Sequence, residues 1–150
     1  MPPVGPSRSS NLDRLDALTA EAEAAIARLA EGYPELAMAD LVGAEVALAA
    51  ALDGPAPRPE QLLRLHNFAH NLKGQGGSFG YLLVTRIAHS LCELVPDDVG
   101  RLPPPDAVPL IRAHLDALRL VLAERLTGQG GEAGRTLLAR LAALGAPLPE

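Results

Sequence analysis

The chain has 150 residues, long enough for one domain with a real core and too short for two substantial ones. Thirteen basic residues stand against eighteen acidic ones, a net charge of −5, which is not the footprint of a nucleic-acid binder. Aromatic residues make up only 3% and tryptophan is absent, while Ala and Leu abound, so helices are favoured.

The first residues, "MPPVGPSRSS", hold no apolar core of a signal peptide, and residues 1–10 are expected to form a flexible tail. From there the chain reads as one helical domain over 11–150, its bundle core spanning about 34–127. Helices are expected near 11–31, 34–53, 59–79, 81–95, 106–127 and 133–144, with no stretch alternating like a strand. The first shows an apolar row at Leu12, Leu15, Leu18, Ala22, Ile26 and Leu29, with Ser10 or Asn11 as its N-cap. Such a helix has two places to pack, its own bundle or a partner. Pro34 and Pro59 suit first turns, and Gly80 suits a stop between the third and fourth helices. "DGPAPRP", "PDDVGRLPPPD" and "TGQGGEAG" read as connections. The fold class is all-α, with four long helices joined shortly enough to make an antiparallel bundle. The most apolar stretch, "LAMADLVGAEVALAAAL", carries Asp40 and Glu45 and falls short of the ~20 apolar residues of a membrane span. With a single cysteine, Cys92, no internal disulfide can form, and a cytoplasmic location is expected.

The segment "HNFAHNLKGQGGSFGY", His66–Tyr81, is the informative one. On the helix from Pro59, Leu62, Leu65, Phe68, Ala69, Leu72 and Phe79 gather on one side. His70 lies opposite them, flanked by His66, Asn67, Lys73, Gly74 and Gly77. Glycine in a helix costs about 0.5–1 kcal/mol relative to alanine, so a cluster of them needs a reason. Access to His70 supplies one. An imidazole, titrating near ~6.5, is substantially neutral and nucleophilic at neutral pH, and as a phosphoryl carrier it is a good leaving group. Lys73 would place an ammonium beside the phosphoryl oxygens, and Gly74 would leave room for a partner.

"HNLKG" resembles the phosphorylation motif of histidine-containing phosphotransfer (HPt) domains, a histidine followed by Lys at +3 and Gly at +4. The longer run from His66 to Val95 is similar to the bacterial form of that domain. The resemblance implies an up-down four-helix bundle with additional N- and C-terminal helices. It implies phosphorylation at His70, with Lys73 stabilising the phosphoryl group and Gly74 giving access. His66, Asn67 and Gly77 would border the docking patch. The partners implied are response-regulator receiver domains or a hybrid histidine kinase, with no nucleic acid and no membrane. No cofactor of its own is expected, and the Mg²⁺ would sit on the receiver domain. No G-x-x-x-x-G-K-[ST] loop is present, so a phosphotransfer protein is expected and not an ATP-using enzyme.

Plainer readings stand beside these. His66 and His70 have a metal-compatible spacing, but two ligands are not a site, and a metal-binding bundle or an unphosphorylated helical adaptor are the alternatives. His89 is expected to be solvated, His114 to sit on the core side, Cys92 to be passive, and Gly76 to serve helix packing.

Overall fold

The computed structural model describes residues 8–149, and every regular element among them is helical. Five α-helices follow one another: α1 (Arg8–Ala51), α2 (Pro59–Gly76), α3 (Leu82–Leu94), α4 (Val108–Ala123) and α5 (Gly131–Ala143). Short 3₁₀ turns, Gly77–Phe79 and Pro105–Ala107, close α2 and lead into α4. No helix among the described residues combines the length and apolarity needed to cross a membrane.

One expected boundary does not exist. The helices foreseen at 11–31 and 34–53 are a single helix, Arg8–Ala51 among the described residues, with Pro34 inside it, and it is already under way before the caps foreseen at Ser10 or Asn11. Residues 8–10, assigned to the tail, are therefore helical, and the rest of that tail lies outside the described residues. A proline within a helix forfeits one backbone hydrogen bond and costs about 3 kcal/mol. Here Pro34 and Tyr33 are both buried against the bundle, which offsets that cost. Beside them Arg125 donates to the Glu31 carbonyl at 3.2 Å and pairs with Glu35 at 2.5 Å.

The other boundaries fall close to the punctuation. Pro59 occupies the first position of α2, where its missing N–H is no loss. Gly80, at φ +84°, ends the glycine-rich segment: its N–H and that of Tyr81 turn back to the carbonyls of Gly77 and Gly76. Within the bundle α1 packs on α2 and α4, and α3 on α2 and α4, which closes a four-membered ring; α5 leans on α4. Leu41, Leu65, Leu72, Leu83, Ile87, Leu91, Ile111 and Leu118 are fully buried at its centre. Gly43 lets α1 meet α2 closely, since a Cβ there would lie 2.5 Å from the Phe68 ring.

Two expectations about single residues hold. His114 is buried between α3 and α4: its Nδ1–H donates to the Leu110 carbonyl at 2.7 Å, and its Nε2 accepts from the Ser90 hydroxyl at 2.7 Å. Burial pushes its pKa below the usual imidazole value, with the hydrogen bond to Leu110 acting the other way. Gly76 is a packing glycine, because a Cβ would lie 2.7 Å from Thr85 Oγ1 and 2.9 Å from the Tyr81 carbonyl.

Candidate functional site

Helix α2 sorts its side chains by face. Leu62, Leu65, Ala69 and Leu72 point into the core, whereas His70 is exposed on the opposite side. One turn on, Lys73 is half-buried and its backbone carbonyl accepts from Thr85 Oγ1 at 2.9 Å. That bond ties the end of α2 to α3. Gly74 is exposed, and a Cβ built on it would meet nothing within 4 Å. Neither packing nor a left-handed backbone demands glycine here.

Gly77 is also exposed, and its N–H donates to Thr85 Oγ1 at 2.8 Å. A Cβ on Gly77 would make ordinary contacts of 3.6–3.7 Å with Leu82 and Thr85. Asn67 is exposed on the other flank, beside Arg64, Phe68 and Asn71.

His66 is more than a border residue. It is half-buried, and its Nδ1–H donates to the Val95 carbonyl at 2.7 Å, clamping α2 to the end of α3. This fixes its tautomer and stations its ring 6.4 Å from that of His70, the planes inclined by 28°.

His66, His70 and Lys73 together line a shallow depression of about 310 Å³. Its far wall is formed by Cys92 and Glu93 on α3 and by Pro96, Asp97 and Arg101 on the connection to α4. Beside His70, α2 itself supplies one cation, Lys73, and no carboxylate. Folding adds a guanidinium, Arg101, and two carboxylates, Glu93 and Asp97, from α3 and the loop, all on the far wall of the depression. Arg101 could not be picked out from "PDDVGRLPPPD", which signals only a connection. Cys92 is half-buried and its thiol is pushed up to about 11, chiefly by burial, with Lys73 pulling it down and Glu93 adding to the rise. A thiol so protonated is a poor nucleophile. His89 is partly exposed and 3.7 Å from Glu93 one turn on.

Chemically, the arrangement presents a solvent-facing imidazole with a cation one turn away and bare backbone beside it. Among the described residues no three His, Cys, Asp or Glu side chains are grouped as a metal site would need.

Neither the curated proteins nor the solved structures include a match to the chain. A family model does match: the Hpt domain, over residues 35–120, more than half of the chain and all of α2 and α3. Domains of this family are phosphotransfer intermediates and not kinases, and their partners are in general receiver domains and kinases. The all-helical bundle, the exposed histidine on the outer face of α2 and the family match converge: the chain belongs to the Hpt domain family.

Proposed function

We propose that His70 carries the phosphoryl group, accepting it from one receiver-domain aspartate and passing it to another. The observation that carries this is the open space around His70: the ring is exposed, and nothing stands within 4 Å of where a Gly74 side chain would begin. In the accepting step the unprotonated ring nitrogen of His70 attacks phosphorus in line with the aspartyl oxygen. A P–N bond forms and the P–O bond breaks, its electron pair remaining on the aspartate. The proton on the other ring nitrogen leaves to solvent. Lys73, one turn on and lining the same depression, is the cation assigned to the phosphoryl oxygens, and a charged hydrogen bond of that kind contributes about 1.5–3 kcal/mol. Arg101 lines the same depression and adds a second positive charge there.

The Mg²⁺ and the carboxylate cluster of the reaction belong in this scheme to the receiver. With no ATP-binding loop in the sequence, the chain depends on a phosphorylated partner. The test is to mix the protein with labelled, phosphorylated receiver domains and follow acid-labile phosphate. The wild type is expected to take up label. His70→Gln is expected to take up none while keeping its helical content, because the exposed ring fills no cavity. Undiminished labelling of His70→Gln overturns the assignment.

A further inference from the structure

The first half of α1 leaves the bundle. From Arg8 to Gly32 no residue is buried, and at ~1.5 Å per residue this arm is about 37 Å long. Leu12, Leu15, Leu18, Ile26 and Leu29 are 53–60% exposed along it. Stepping about 100° per residue, the row Leu12, Leu15, Ala22, Ile26 and Leu29 runs straight on into Tyr33, Ala37, Ala44 and Ala51, which the bundle buries. One apolar stripe is thus half covered and half bare, and a bare patch of this extent on a soluble chain marks an interface.

We propose that the arm pairs antiparallel with the arm of a second copy of this chain, forming a two-fold symmetric dimer. Three observations select this occupant. The first is the order of side-chain sizes, which reads the same from either end: large at Leu12 and Leu15, small at Thr19 and Ala22, large at Ile26 and Leu29. In a two-fold antiparallel pair residue i meets residue j of the second copy and j meets i, so this order sets large side chains against large and small against small. Leu12 then faces Leu29 of the second copy, Leu15 faces Ile26, and Thr19 faces Ala22, in the a and d positions of a heptad.

The second observation is steric. The bare stripe and the buried stripe share one face of α1. In a parallel pair the second α1 would run on into the space that α2 and α4 fill, whereas an antiparallel one runs away from the bundle. The third is area. The four large aliphatic side chains of the row, with Leu18 at its edge, bring the apolar surface of the two copies to the order of 1,000 Å² that a stable interface requires.

Asp16 and Glu23 edge the stripe on one side, and antiparallel pairing lays the acidic edges of the two copies together. Added salt therefore tightens the dimer by screening that repulsion. A stripe shaped for a basic partner helix would show the opposite dependence on salt.

Sedimentation velocity on the full chain, over a hundredfold range of concentration, tests the proposal. A dimer is expected, strengthened by salt, and Leu15→Glu with Ile26→Glu is expected to weaken it by about a hundredfold or more while circular dichroism stays helical. Both side chains are exposed, so the bundle does not depend on them. Orientation is read by cross-linking in a Cys92→Ser background. Leu12→Cys together with Leu29→Cys should form an intermolecular disulfide, and Leu12→Cys alone should not. A wild type monomeric at every concentration, or a disulfide from Leu12→Cys alone, overturns the proposal.

Discussion

Gly74 and Gly76 stand two residues apart on one helix for opposite reasons. A side chain on Gly76 runs into Thr85 and the Tyr81 carbonyl, while one on Gly74 enters open space. Gly76→Ala is therefore expected to lower stability by about 1–3 kcal/mol through overpacking. Gly74→Gln is expected to leave stability unchanged or raise it by up to about 1 kcal/mol, since glycine is the poorer helix former. It should nonetheless slow phosphotransfer at least tenfold, because a side chain one turn beyond His70 covers the same face. In-line attack needs the reacting atoms about 3–3.5 Å apart, which a wedge between the docked surfaces prevents. Denaturant unfolding and receiver-to-protein transfer, measured on each variant, separate the two glycines. A Gly74→Gln variant that loses stability along with transfer would return Gly74 to a packing role. Much of this was legible in the sequence, because the helical wheel already sets Gly74 with His70 and Gly76 nearer the apolar row. Arg101, Glu93 and Asp97 were not, since a wheel knows only its own helix and these residues arrive from elsewhere in the fold.

Between elements, the buried hydrogen-bonded His114 joins α4 to α3 through Ser90. Its folded pKa lies below the value near ~6.5 of an unfolded imidazole, so as pH falls the unfolded chain takes up the proton first. The stability that neutral His114 contributes is fully present above about pH 6.5, and it drains away as pH falls from there through the folded pKa. Unfolding of the wild type is thus expected to become easier as pH falls below about 6.5. His114→Leu should start lower, having lost both hydrogen bonds, yet show a shallower slope over that range. An unaltered slope in the variant would mean that other groups carry the dependence. That His114 faces the core follows from its row with Leu110, Ile111, Leu118 and Val121; its bond to Ser90 needed the fold. The merging of the first two expected helices was the opposite case. Gly32 and Pro34 are local breaking signals, and they lose because the stripe on either side of them is continuous and Pro34 itself is buried.

At the scale of the whole molecule, four helices close the ring and the fifth buttresses α4. The α4–α5 connection is stitched to the start of α3 by bonds from Leu83 N–H to the Gly128 carbonyl at 2.8 Å and from Gly128 N–H to the Gly80 carbonyl at 2.6 Å. These links place the glycine turn that ends the His70 helix under the support of a segment nearly fifty residues later. The helix count of the bundle, its order and the exposure of His70 could be anticipated from apolar period and proline–glycine punctuation. The protrusion of the arm could not, because an apolar row looks the same whether its cover is the same chain or another.

Where that arm joins the bundle, Tyr33 stacks on Phe79 at 5.1 Å and lies 5.3 Å from Tyr81. These are the chain's two tyrosines, and it has no tryptophan. Its intrinsic ultraviolet fluorescence therefore originates at one end of the bundle, from two rings close enough to exchange excitation energy, on the helix that bears the arm and beside the turn that closes the His70 helix. The protein carries a built-in, label-free optical reporter there. Emission and its anisotropy would register a shift of Tyr33 against Tyr81 while remaining silent about the far end of the molecule.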